Sequence, residues 1–294
     1  MEVKRKKAVK FKFDTFVGID WSGDKNKFQK GISVAICNKG TSAPKIIKPN
    51  KNMYWSRSSL FCFLKEIQKE NNVLLGIDFA FSYPFNEELS YFPGLNKTPT
   101  NPKNLWKLIN EININFDNFY GGGVWQKKPF ADYYNSPGFK GSKYKSRRRQ
   151  TEIDAKNKIH APSPTFNCVG PGSVGTGSLA GMRFLHHLKD QVSIWPFKKI
   201  NYKKIVLVEI FPTYYFRMAG IQPDKTFGYD LNKINDALKF FESDNLNPNI
   251  KINGPDQDDA DAIISSAALR HLSKNEKLWD VPIISKKEGW IFGV

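Results

Sequence analysis

The sequence predicts one α/β domain on a mixed sheet, an antiparallel hairpin plus parallel strands flanked by helices, interrupted by a large insertion. Three observations predict it. Short apolar runs end in acids at Asp20, Asp78 and Glu209. A helical period lies between the first two of those runs, and a stretch from about 85 to 200 lacks clear periodicity. The domain is expected to span 1–294, with its core in 13–84 and 201–294.

The first run, Thr15 to Asp20, reads as a buried strand, and Gly31 to Cys37 as its neighbour. The short polar link between them, with Gly23, Asp24 and Asn26, suits a hairpin. Residues 44–49 offer a weaker third strand. Leu60, Phe61, Phe63, Leu64 and Ile67 give 58–70 a helical face. Asn72 to Asp78 is the next strand, and the helix before it makes a crossover, so this strand should run parallel to the first. Within the insertion, short helices are expected near 103–112 and 178–189. Regular structure resumes with a strand at 203–210, followed by helices at 231–241 and 258–272. The tail from Pro282 is expected to add an edge strand.

Composition narrows the class. With 40% hydrophobic and 25% charged residues, the chain is globular rather than disordered. Cys37, Cys62 and Cys168 are too few and too scattered for a disulfide framework. His160, His186, His187 and His271 show no metal-ligand spacing and read as surface or packing residues. The basic segment 1–12 has no apolar stretch, so no signal peptide is expected there. No run is long and apolar enough to span a bilayer, so the expected setting is cytoplasmic, with no membrane partner.

The net charge is +17, and 1–12 and 140–149 carry +5 and +6 of it. Patches of this kind suit a polyanion, because each neutralised phosphate releases counterions. Lys140, Lys143, Lys145, Arg147, Arg148 and Arg149 are therefore candidate contacts to DNA or RNA. AT-rich coding would also enrich lysine, but it does not explain three consecutive arginines.

Acids at the ends of three strands are hard to dismiss, since a buried carboxylate is costly unless paired or metal-bound, and sites form at strand ends of α/β sheets. The helix beginning near Asp258 adds more. Asp256, Asp258 and Asp259 have an ordinary explanation as capping and dipole residues. Asp261 lies a turn further in. At about 100° per residue, Asp258, Asp261 and Ser265 share a stripe bordering the apolar face, while Asp259, Ser266 and Arg270 fall on the expected solvent side. The candidate catalytic set is thus Asp20, Asp78, Glu209, Asp258 and Asp261. Oxygen-only ligands suit Mg²⁺ or Mn²⁺, and a metal pair supports phosphodiester hydrolysis without a cysteine or histidine nucleophile.

Five motifs occur in order: Gly18-Ile19-Asp20-Trp21-Ser22-Gly23, Gly76-Ile77-Asp78-Phe79-Ala80, Val208-Glu209-Ile210-Phe211-Pro212, Asp258-Asp259-Ala260-Asp261-Ala262 and Glu288-Gly289-Trp290-Ile291. Together they resemble an uncharacterised family of predicted RNase H-like nucleases, long labelled only as a domain of unknown function. The helix motif is also similar to that of RuvC-type resolvases. The resemblance implies an RNase H-like fold, with Asp20, Asp78, Asp258 and Asp261 as metal ligands. Glu209 departs from the simplest four-acid pattern, as an added ligand or as a structural acid.

Two further segments carry candidates. Gly170 to Gly181 is the densest glycine stretch and leads into a helical pattern. It lacks a Walker A lysine, yet Ser173, Gly175, Thr176, Gly177 and Ser178 could hold a phosphate through free N–H groups; a flexible connector explains it equally well. Gly121 to Trp125 and Tyr133-Tyr134 could stack on bases, although packing is the favoured role.

The leading expectation is a metal-dependent nuclease. An actin-like nucleotide phosphotransferase or ATPase shares the strand order but needs a second copy of the core, which the chain lacks. A non-catalytic nucleic-acid binder would have little use for so many acids.

Overall fold

The computed structural model describes residues 13–49, 52–69, 72–224, 228–252 and 257–294. The basic segment 1–12 and Asp256 lie outside the described residues.

In chain order the elements are strands β1 (Thr15–Asp20), β2 (Ser33–Asn38) and β3 (Lys45–Ile47), helix α1 (Arg57–Ile67) and strand β4 (Val73–Ile77). Next come α2 (Pro102–Ile112), the small hairpin β5 (Asn135–Ser136) and β6 (Phe139–Lys140), α3 (Gln150–Lys158) and α4 (Gly175–Leu188). Then follow β7 (Ser193–Ile194), β8 (Val206–Glu209), α5 (Pro212–Met218), α6 (Leu231–Phe240), α7 (Asp258–Leu272) and α8 (Ser285–Glu288).

The main sheet has six strands in the order β3-β2-β1-β4-β8-β7. β1, β2 and β3 pair antiparallel, and β4, β8 and β7 run parallel to β1. The expected hairpin, third strand and crossover are all present. β1 is buried along its whole length, as a central strand covered on both faces must be.

Side chains alternate between two cores. Val17, Ile19, Leu75, Ile77 and Leu207 pack with Leu60 of α1, Trp106 of α2 and Phe184 of α4. Phe16, Leu74, Val206 and Val208 pack with Tyr215 of α5, Leu238 of α6 and Ile263 of α7. The long stretch of weak periodicity therefore supplies the layer on one sheet face. Its helices α2 and α4 lie near the expected positions, while α3 and the β5–β6 hairpin were not foreseen. Edge strand β7 also falls inside the stretch, so the sheet begins again before residue 201.

Two tail and helix expectations change. The tail forms α8 and a single parallel bridge from Ile291 to Glu209 instead of an edge strand. Asp259, Ser266 and Arg270 are buried rather than on a solvent face. The reason is that α7 lies between the sheet and α5 and α6, so almost every side of it is covered. Arg270 donates to the carbonyls of Asn38, Thr41 and Ser42 and to Ser243 Oγ.

The approach of α7 to β1 depends on Gly18. A Cβ there would stand 2.4 Å from Ala262 O and 2.7 Å from Ser266 N, both helix backbone atoms. Gly18→Ala should therefore cost about 1–3 kcal/mol through overpacking, read as a lower urea midpoint. An unchanged midpoint would mean that the helix does not sit this close.

Among the described residues no helix is long and apolar enough to cross a membrane, and the three cysteines are free.

Candidate functional site: an acidic centre at the sheet end

Strand register decides which acids meet. Ile19 pairs with Ile77, and the Asp78 amide bonds to the Ile19 carbonyl at 3.0 Å. Asp20 and Asp78 thus stand side by side where β1 and β4 end. Asp20 shares a face of β1 with Phe16 and Gly18, the face that α7 covers. The first turn of α7 brings Asp258 and Asp261 there.

The electrostatics record this convergence. Burial first, then the charges of Asp261, Asp78 and Asp258, push the Asp20 carboxyl well above the usual carboxylate range. Burial, then Asp78 and Asp258, does the same to Asp261. Burial, then Glu209, pushes Asp78 up to about 8. Asp258 lies close enough for its carboxyl to favour a proton on Asp20. Asp261 Oδ1 is shielded from solvent and has no hydrogen-bond partner among the described residues, a costly state for a carboxylate oxygen. Tyr229, not anticipated from sequence, lies beside Asp261; burial and then that acid raise its phenol.

Oxygen-only donors and an orphaned buried carboxylate oxygen fit a hard divalent cation. Among the described residues, however, no three His, Cys, Asp or Glu side chains already stand at metal-holding spacing. The four aspartates converge in position and charge without being closed into a ligand shell.

Glu209 is placed differently. It pairs with Ile77 rather than with Asp78, one residue out of step with the other strand-terminal acids. A step of one residue turns a side chain to the opposite sheet face. There Arg149 holds both of its oxygens, at 2.5 and 2.8 Å, and Phe81 N donates to it at 2.9 Å. Of the two readings of Glu209, this favours the structural acid. The same guanidinium bonds Glu152 at 2.8 Å and the Glu288 carbonyl at 3.1 Å. Glu288 in turn accepts from the amides of Phe85, Asn86 and Gln150. The Glu209 and Glu288 motifs are therefore two ends of one buried clasp between the core and the long insertion. Sequence offered only Glu152, three residues beyond Arg149, as a hint of it.

That clasp corrects the reading of the basic run. Arg149 is 1% and Arg147 6% exposed. Arg147 donates to the carbonyls of Tyr91, Pro84 and Ser90, and Arg148 to that of Pro162. These arginines fasten loops, because a guanidinium with five N–H donors can satisfy several buried carbonyls at once. Lys140, Lys143 and Lys145 are exposed. Lys140 lies over the Tyr144 ring, Lys143 over the Tyr133 ring, and Lys145 pairs with Glu88 at 3.1 Å.

Asp259, a cap residue by sequence, accepts from Ser33 Oγ at 2.5 Å and pairs with Lys48 at 3.4 Å. It ties α7 to β2 and to the chain beyond β3.

The glycine-rich segment reaches the same end of the sheet. Trp21 Nε1 donates to Gly177 O at 3.0 Å, and a Cβ on Gly23 would lie 2.4 Å from Gly177 N. Much of its bonding capacity is already engaged. Ser178 Oγ donates to Val174 O and accepts from Ala80 N, the Gly175 amide bonds Asn167 O, and Thr176 Oγ1 bonds Cys168 O at 3.5 Å. Gly175 and Ser178 thus serve packing. Ser173, Thr176 and Gly177 are half-exposed. Val124, Tyr133 and Tyr134 are buried, in keeping with packing.

Compared with protein-family models, with curated proteins and with solved structures, the chain matches none, so its function must be argued from its own residues.

Proposed function

We propose that the chain is a metal-dependent nuclease of RNase H-like fold. The observation that carries the proposal is the convergence of Asp20, Asp78, Asp258 and Asp261 at one sheet end, with Asp261 Oδ1 buried and unpartnered among the described residues. The strand order, with an antiparallel β1–β2–β3 unit followed by parallel strands, supports the fold assignment.

In this reading Asp20, Asp78, Asp258 and Asp261 hold Mg²⁺ or Mn²⁺. When bound, the cations supply Lewis acidity and lower the pKa of a coordinated water. The chain's part is to gather four oxygen donors on rigid elements, two strand ends and one helix turn. The cost of gathering them is visible in the raised carboxyls, which must lose their protons as the cations arrive. Arg149 pairs both oxygens of Glu209, which limits the charge that Glu209 adds beside Asp78. Ser173, Thr176 and Gly177, at the start of α4, lie where they can steady a phosphate of the substrate.

Labelled single- and double-stranded DNA, RNA and an RNA–DNA hybrid should be incubated with wild type and Asp20→Asn, in Mg²⁺, Mn²⁺ or EDTA. Cleavage is expected with metal only, with a loss of at least about a hundredfold in the variant. Equal cleavage by both proteins, or none by wild type on any substrate, would sink the nuclease reading.

A further inference from the structure

A cavity lies beyond the loop that follows β1. Lys25, Lys27, Ser58, Phe116, Asp117, Asn118 and Tyr120 line this open cavity of ≈ 510 Å³, a size typical of ligand sites. Its floor is held rigidly by two buried arginines. Arg57, fully buried, donates to the carbonyls of Ser22, Asp24 and Asn118 at 2.7, 3.0 and 2.6 Å. Arg183 donates to those of Phe116 and Tyr120 at 2.8 and 2.6 Å, and to Asn110. Asn118 Nδ2 bonds the Lys27 carbonyl at 2.9 Å, joining the two walls. Asn118 and Phe119 take φ values of 50° and 56°, a conformation that non-glycine residues adopt only where their surroundings impose it.

The charge is unbalanced. Among the described residues neither Arg57 nor Arg183 forms an ion pair; both hold carbonyl or amide oxygens. Lys25 and Lys27 add two exposed cations. The carboxylates facing this group are Asp24, near Arg57, and Asp117, near Arg183. Four cations against two acids leave the cavity positive by about two charges, in a concave setting that concentrates the field. Phe116 and Tyr120 add aromatic surface, and both are half-exposed.

The loop that forms one wall of the cavity begins near the acidic centre. A Cβ on Gly31 would lie 3.3 Å from Ser22 Cβ and 3.9 Å from Asp258 Oδ1. The loop from Ser22 to Lys27 thus runs from the aspartates to the cavity wall.

We infer that this cavity binds an unpaired stretch of nucleic acid leading to the acidic centre, with phosphates at Lys25 and Lys27 and a base against Phe116 or Tyr120. Cations that track a backbone beside aromatic faces are how single strands are held without sequence preference. The inference names the substrate class of the nuclease reading and rests on it.

The test is fluorescence anisotropy with labelled oligothymidylate, oligouridylate and a duplex of equal length, in EDTA so that no cleavage intervenes. Lys25→Glu/Lys27→Glu should weaken single-strand binding by about tenfold or more and lower the salt slope by about 2. Phe116→Ala should weaken it roughly fivefold or more. Both lysines are exposed, so an unchanged melting temperature should accompany the charge reversal. Preference for duplex, no binding by wild type, or a loss that follows Lys140→Glu/Lys143→Glu instead would overturn the inference. The two readings separate cleanly. Metal-dependent cleavage that survives the Lys25/Lys27 reversal undiminished removes the cavity's role and keeps the nuclease. Strand binding that the reversal abolishes, without cleavage by wild type, keeps the cavity and removes the nuclease.

Discussion

Arg149→Met should unfold this protein more readily than any surface change, with a loss of about 3–5 kcal/mol and a fall in melting temperature on the order of 10 °C. The guanidinium stands between Glu152 and Glu209, which are 0% and 2% exposed. Burial alone would lower its pKa, yet Glu209 and then Glu152 hold it above the ordinary value. Removing it leaves two carboxylates in a dry interior with fewer donors, and the penalty is chiefly that of the stranded charges. The Glu288 carbonyl also loses its guanidinium donor, so the link between α8 and α3 weakens. Adding Glu209→Gln to Arg149→Met should restore part of the loss, because one stranded charge is gone. If Arg149 were instead a contact to nucleic acid, the single variant would melt like wild type and bind oligonucleotide less tightly. Thermal melting followed by circular dichroism separates these outcomes.

Asp78→Asn should do two opposite things: end metal-dependent cleavage and stabilise the metal-free protein. Asp20, Asp78 and Asp261 are all raised in the folded state. A carboxyl raised by folding binds a proton in the native chain that the unfolded chain has released. Between about pH 4, the ordinary carboxyl value, and about 8, the value at Asp78, the native state therefore holds more protons. Stability contributed by these acids must fall as pH rises through that window. Burial holds His186 down to about 4, which acts the other way, since a histidine kept neutral by folding gains stability as pH rises. The quantity to read is consequently the difference between wild type and Asp78→Asn, in which the histidines cancel. In EDTA the variant's advantage should grow from near zero at pH 4 as pH rises towards 8. Saturating Mg²⁺ or Mn²⁺ should reverse the order, since only wild type gains the binding energy. Parallel pH profiles for the two proteins would mean that burial and the nearby Glu209 do not raise Asp78 in the folded chain, and its place in the site would fall with that.

The sequence by itself determined the central strands of the sheet and which aspartates close two of them. Apolar runs such as Val17-Gly18-Ile19 and Leu75-Gly76-Ile77 admit few other states, and an acid closing each run marks a strand end. The spacing of Asp258 and Asp261 placed both beside the apolar face of one helix, and they lie there. Only the tertiary structure decided the fate of the remaining charges. Glu209 looked like a third strand-end acid, but register sets it one residue out of step and turns it to Arg149. The run from Lys140 to Arg149 looked like one basic patch, but Arg147 and Arg149 point inward to carbonyls and acids from residues 56 to 139 positions away. Asp259 and Arg270 looked solvent-facing because a helical wheel knows one packing partner, whereas α7 has a sheet on one side and helices on the other. Local pattern reports the periodicity of burial, which the backbone imposes within a few residues. Which charge finds which partner depends on contacts distant in the chain, and those exist only once the layers have closed.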